Sequence, residues 1–183
     1  MIRPTERAQM ITRDIHIIGI DPGGTTGACL LTVPRDSIYG KSPGRIVKWE
    51  VWEESGDEAE QVRSLCRVSR EVQSLDYQIG PALVIEAWDS DPTFRSTDPE
   101  ALSPARIGGM FLYAALRGDL SDARVNFQSR TQAKQYITDD RLRSRGMYTV
   151  GSDHIRDATR HALTALSRAK KSAELRYEFW GQD

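Results

Sequence analysis

Apolar residues first gather in two short runs rich in β-branched side chains, Ile15–Ile20 and Ala28–Val33, separated by the turn-forming stretch Pro22-Gly23-Gly24-Thr25-Thr26-Gly27. Runs of this length bounded by Gly and Pro predict two strands joined by a Gly-rich turn. Over Arg45–Glu53 the pattern becomes alternation, with Ile46, Lys48, Glu50 and Trp52 set against Val47, Trp49 and Val51, which predicts a third strand with unlike faces. The spacing then turns helical. Across Asp57–Leu75 the apolar positions are Ala59, Val62, Leu65, Cys66, Val68, Val72 and Leu75, and either Ser55 or Asp57 is placed to cap the helix. Ala82–Ala87 is apolar until Glu86 interrupts it, the pattern of a buried central strand with a carboxylate near its C-terminal end. Ser103–Arg117 predicts a helix from Ile107, Met110, Phe111, Ala114 and Ala115, with Ser103 as cap and Pro104 in the first turn. A short strand over Val125–Phe127, a short helix over Thr131–Ile137 and a final helix over Asp153–Ala169 complete the reading.

Three adjacent strands followed by alternating helices and strands predict an α/β protein built on a mixed five-stranded sheet flanked by helices, not a repeated βαβ unit. No internal repeat or long Pro- or Gly/Ser-rich linker divides the chain, so residues 15–183 are expected to form one domain behind a flexible arm, Met1–Asp14.

Composition adds limits. With 183 residues, 39% hydrophobic and 28% charged, the chain can bury a core without disulfides or metals as staples. It shows no apolar run of signal-peptide or membrane-span length, which leads to the expectation of a cytoplasmic protein with no membrane partner. Cys29 and Cys66 have neither CxxC nor zinc spacing and are expected to be buried free thiols. A net charge of −1 disfavours indiscriminate coating of DNA, yet that value conceals an asymmetry. An acidic block (Glu50, Glu53, Glu54, Asp57, Glu58, Glu60) offsets a stretch from Arg130 to Arg145 with five cations and two anions. Taken alone, such a stretch reads as a solvated surface.

The candidate chemistry lies where acids end apolar segments: Asp21 after IHIIGI, Glu86 after ALVI, and Asp157 in the last helix with His154 one turn before it. Carboxylates beside an apolar sheet are costly unless paired or bound to metal, and clustered carboxylates are what hard cations such as Mg²⁺ or Mn²⁺ require. His154 and Asp157 are spaced i, i+3 and so project from one helical face. Singly, each residue fits an ordinary structural role. Their combination points to a metal centre.

The segments IIGIDPGGTTGACLL, LVIEAWD and DHIRDATRHAL, in that order, resemble the acidic motifs of RuvC-type Holliday junction resolvases, particularly the small forms encoded by bacteriophages. The resemblance spans roughly Ile15–Leu166 and implies an RNase H-like fold. It implies that Asp21, Glu86, His154 and Asp157 are catalytic metal ligands, with Asp153 an alternative ligand and His161 either a supporting or a structural group. It further implies Mg²⁺ or Mn²⁺, two ions per site, a homodimer, and branched DNA as substrate, with host cytoplasm as the location if the protein is phage-encoded. The stretch from Arg130 to Gln135 is similar to a basic segment of the family that approaches DNA, which gives Lys134 and Arg130 phosphate contacts. The sequence departs from bacterial resolvases at ITDDRLRSRGMY, where Arg141, Arg143 and Arg145 are candidate backbone ligands instead. Phe94, in the loop after Glu86, is the candidate for stacking on opened bases. The small-residue helix around Ile107, Gly108, Gly109 and Ala114 is a candidate dimer surface.

The resulting expectation is a metal-dependent, structure-selective endonuclease that hydrolyses phosphodiesters in four-way junctions and other branched DNA. Two rivals remain: a non-catalytic RNase H-like DNA-binding module, and an actin-like ATPase domain using DPGGTTG as a phosphate loop. Length opposes the second, because such ATPases need two domains and a second nucleotide loop.

Overall fold

The computed structural model of the chain describes residues 14–39, 45–75, 80–88, 100–120 and 122–181. Strand β1 (Asp14–Asp21) pairs antiparallel with β2 (Thr26–Pro34), which pairs antiparallel with β3 (Lys48–Glu54). On its other edge β1 pairs in parallel with β4 (Ala82–Ala87), and β4 in parallel with β5 (Arg124–Ser129). The result is one mixed five-stranded sheet of order β3-β2-β1-β4-β5. Helices α1 (Glu58–Leu75) and α2 (Ser103–Arg117) cover one face. Helices α3 (Arg130–Tyr136), α4 (Asp139–Ser144), α5 (Asp153–Ala169) and α6 (Ala173–Trp180) lie on the other.

Period-2 side-chain alternation sorts the strands between two cores. Ile15 and Ile17 of β1, Cys29, Leu31 and Val33 of β2, and Ala82 and Val84 of β4 pack against Ala158, Ala162, Leu163 and Leu166 of α5. The alternate residues Ile18, Ile20, Ala28, Leu30, Leu83 and Ile85 pack against Val62 and Leu65 of α1 and Ile107 and Phe111 of α2. The sheet is therefore apolar on both sides, which is why its central strands read as continuous hydrophobic runs.

The same alternation places the acids. Asp21 continues the row of Ile15 and Ile17, and Glu86 continues that of Ala82 and Val84, so both carboxylates face α5. Because Ile20 pairs with Ile85 in the parallel register, Asp21 and Glu86 come side by side at the C-terminal ends of adjacent strands.

Two glycines let α5 lie unusually close. A Cβ on Gly19 would sit 2.1 Å from the carbonyl oxygen of Ala158, and one on Gly27 would sit 2.3 Å from the backbone of His154. Without those hydrogen-only positions the helix could not reach the floor of the sheet, and the side chains of its first two turns would stand too far from the strand-borne acids.

Some boundaries differ from the pattern-based expectation. The third strand starts at Lys48, not Arg45, although the Val47 amide still donates to the Thr32 carbonyl at 2.8 Å. Asp57 caps α1, its carboxylate accepting from the Glu60 amide at 2.8 Å, whereas Ser103 is the first residue of α2 and not its cap. Helices α4 and α6 were not anticipated by periodicity. Cys29 and Cys66 are buried free thiols, as expected, and burial pushes their pKa up to about 12 and about 11 respectively. No described helix is long and apolar enough to cross a membrane. Of the expected N-terminal arm, Met1–Arg13 lies outside the described residues, and Asp14 opens β1.

Candidate metal centre and nucleic-acid cleft

Asp21, Glu86 and Asp157 each bring a carboxylate oxygen within 4.8 Å of the others. Asp21 and Asp157 are 5% and 2% exposed, so three potential negative charges meet where water is largely excluded. Asp21 and Glu86 line a cleft of about 470 Å³, together with Pro22, Gly23, Trp88, Arg130, Thr131 and His154.

Each acid has its own partners. Asp21 accepts a hydrogen bond from His154, Oδ2 to Nδ1 at 2.8 Å. Glu86 meets His161, Oε2 to Nε2 at 3.0 Å, and the other nitrogen of that buried ring contacts the Gln128 side-chain amide at 2.8 Å. A carboxylate accepts only, so the Nε2–H of His161 points at Glu86 and Gln128 fixes the ring plane. Asp157 is held by cations: Lys134 Nζ at 2.9 Å, Arg130 at 3.3 Å, and Arg160, which also donates to the Ile137 carbonyl at 3.1 Å and pairs with Asp139.

These surroundings push the carboxyls apart. Burial, then the charge of Glu86, raises the Asp21 pKa from 3.8 to about 7, against the lowering effect of the His154 hydrogen bond. Burial also acts on Asp157, but the hydrogen bond and charge of Lys134 and the charge of Arg160 overcome it and hold that carboxyl below its usual range. Without a metal ion, one acid is thus held ionised by its cations while its neighbour is pressed towards the neutral form.

The Asp21 shift fixes a sign. The folded protein holds this proton more tightly than the unfolded chain, so the stabilising contribution is complete at low pH. It is lost as pH rises from 3.8 towards about 7. In chelator, Asp21→Asn is expected to flatten the fall in melting temperature across that window. A parallel pH profile for wild type and variant would show that Asp21 does not carry the linkage.

Of the other residues singled out from sequence, His154 reaches Asp21 but does not stand within 4.8 Å of all three carboxylates, and Asp153 is exposed and paired with Arg156. Lys134 and Arg130 stand at the acids themselves, with 42% and 56% of their side chains exposed. Arg141, Arg143 and Arg145 lie on the surface of α4 and the residue after it; Arg143 pairs with Asp140 at 3.2 Å and stacks over Tyr148. Phe94 lies outside the described residues.

Sequence reasoning missed Arg160, because an Arg on a helix face gives no signal of which acids will surround it. It also missed Gln61. This side chain is 1% exposed, accepts a hydrogen bond from Thr26, and donates to the carbonyls of Gly24 and Gly56 at 3.1 and 3.0 Å. It ties the Gly-rich turn after Asp21 to the turn that precedes α1.

A β3-β2-β1-β4-β5 mixed sheet, with acids at the ends of the adjacent strands β1 and β4 and a third acid delivered by a helix across the face, is an α/β architecture of the RNase H-like fold. The solved structures it resembles include RuvC of Thermus thermophilus in complex with a Holliday junction substrate, at 22% identity and a TM-score of 0.55, covering 86% of this chain and 97% of that one. A second structure of Thermus thermophilus RuvC aligns with a TM-score of 0.56 and 22% identity, covering 86% of this chain and 96% of the other. No protein-family model and no curated protein matches the sequence.

Proposed function

We propose that the protein is a divalent-metal-dependent endonuclease that resolves Holliday junctions and related branched DNA, similar to the small forms that bacteriophages encode. The observation that carries this reading is the convergence of Asp21, Glu86 and Asp157 within 4.8 Å, beside a cleft lined by Arg130 and with Lys134 paired to Asp157. The donor set fits the metal. Three carboxylates offer hard oxygen ligands, which suits Mg²⁺ or Mn²⁺, and their number suits a pair of ions. When bound, such ions supply an activated water and charge stabilisation at the leaving oxygen.

The chain's own residues do the rest. Asp21, Glu86 and Asp157 would hold the ions, and His154 orients Asp21 and would offer a further ligand. His161, braced by Gln128, keeps Glu86 facing the cleft. Arg130 and Lys134 are long, partly exposed cations beside the acids, placed where they would contact a substrate phosphate.

A homodimer belongs to the same proposal, through a different part of α2 from the small-residue cluster. Ile107, Gly108 and Ala114 are buried within the monomer, whereas Leu112, Tyr113 and Leu116 of α2 and Phe127 of β5 are exposed, Leu116 at 87%. Apolar residues grouped this way mark an interaction surface more often than a solvated one.

Incubating the purified protein with four-way-junction, flap and duplex DNA, with Mg²⁺ or Mn²⁺ and with chelator, tests the reading. Junction cleavage that requires the ion supports it. Tight junction binding with no cleavage in either metal would leave the non-catalytic DNA-binding module as the function.

The two residues at the start of α5 are expected to separate in the same assay. His154→Ala should cut the rate by about tenfold or more, and His154→Asp should retain more activity because a carboxylate can serve the same ion. Asp153→Ala should leave the rate near wild type, its side chain being paired with Arg156 outside the acid cluster. A larger loss for Asp153→Ala than for His154→Ala would reverse the assignment.

A further inference from the structure

Between α3 and the C-terminal half of α5 lies an open groove of about 450 Å³ lined by Gln132, Gln135, Tyr136, Thr164 and Arg168. It adjoins the acid cleft through α3, whose Arg130 and Thr131 line that cleft. No acid lines the groove. Thr164 is 2% exposed, and its hydroxyl has no hydrogen-bond partner among the described residues, an unmade bond that a polar ligand atom could complete.

The rim is cationic. Arg141 and Lys171 stand 5.9 and 5.7 Å from the centre of the Tyr136 ring, and Lys171 also donates to its hydroxyl at 3.3 Å. Burial, then the nearby charge of Arg145, pushes the Lys170 ammonium down. From Ala158 to Ala173 the chain carries Arg160, Arg168, Lys170 and Lys171 and no acid. The anions of α4 are already engaged, Asp139 by Arg160 and Asp140 by Arg143. Arg160 aside, which Asp157 and Asp139 already neutralise, like charges gathered in this way repel one another in the free protein, and a polyanion relieves that repulsion.

We propose that this groove and its rim bind the phosphate backbone of a duplex DNA arm that runs from the acid cluster along α5. The inference rests on the nuclease reading above and extends its DNA contact beyond the cleft. Arg168 follows Asp157 by eleven residues. At 1.5 Å per residue it lies about 16 Å along the helix axis. One DNA strand advances about 3.4 Å per nucleotide, so a backbone leaving the acids reaches Arg168 after about five nucleotides. Side-chain amides, a hydroxyl and a guanidinium in the lining, with ammonium groups at the rim, suit contacts that position a backbone without reading its sequence.

The test compares wild type with the Arg168→Gln/Lys171→Gln double variant, neither residue belonging to the acid cluster. Junction affinity is measured across a salt series, together with cleavage at saturating enzyme, melting temperature, and phosphate-ethylation interference. Loss of two phosphate contacts should reduce the salt slope by about 1.8, with the saturating cleavage rate and the melting temperature near wild type. Interference about five nucleotides from the cut bond should appear with wild type and vanish with the variant. An unchanged slope and interference pattern, with wild type still cutting junctions, would overturn the groove proposal alone and leave the patch to another polyanion such as an acidic peptide. Failure of wild type to bind or cut junctions would overturn the groove proposal together with the nuclease reading.

Discussion

Asp157→Asn should abolish metal-dependent cleavage, by at least about a thousandfold, while junction binding persists. The acid is expected to supply charge to the ions, and several kcal/mol of transition-state stabilisation corresponds to that factor. The structure separates this acid from its neighbours in a second respect. Asp157 is buried among Arg160, Lys134 and Arg130, so neutralising it leaves those cations without their shared anion and is expected to cost about 3 kcal/mol of stability in chelator. Asp21→Asn should be equally inactive but as stable as wild type or more so at neutral pH, because Asp21 is the carboxyl that burial and Glu86 press towards neutrality. Cleavage assays with melting curves of both variants read the contrast. Wild-type cleavage by a folded Asp157→Asn protein would remove that residue from the centre, and equal melting losses for the two variants would refute the division between them.

Gly19→Ala should be nearly as damaging without touching a charge. The added methyl would meet backbone atoms of α5, the Ala158 carbonyl oxygen at 2.1 Å and the Ala162 amide at 2.9 Å, and neither can turn aside as a side-chain tip could. The helix must move off the sheet, which overpacking of this kind makes cost about 1–3 kcal/mol, or a melting-point drop of roughly 3–10 °C for a domain of this size. The same movement carries Asp157 away from Asp21 and Glu86, and a displacement near 1 Å is expected to lower the cleavage rate about a hundredfold. Gly24→Ala is the control, since a Cβ there meets nothing within 4 Å. If Gly19→Ala melts and cleaves like the control, the close helix–sheet approach is not what positions the acid.

How far the site could be read in advance depended on whether a residue's environment was local. Asp21 and Glu86 stand at the ends of apolar runs, and strand alternation ties each to the facing direction of residues two positions earlier, while the parallel register of β1 and β4 puts the two on one sheet face. Asp157 and His154 share a helical face for a similar reason. Helix α4 escaped because its six residues bury only Leu142, too little to establish a period. Helix α6 escaped because its two buried residues, Phe179 and Trp180, are adjacent and form no stripe at helical spacing.

The sequence by itself therefore determined the two-sided apolar sheet, the helices with a sustained amphipathic face, and the acids that end them, since each follows from a short-range repeat of polar and apolar positions. Tertiary structure alone decided which charges meet. Lys134 and Arg160 neutralise Asp157, His161 braces Glu86, and the helix lies close enough for any of this only because Gly19 and Gly27 lack a Cβ. Electrostatic partners are chosen by distance in space, and residues brought together across a sheet and a helix leave no period in the chain that encodes them.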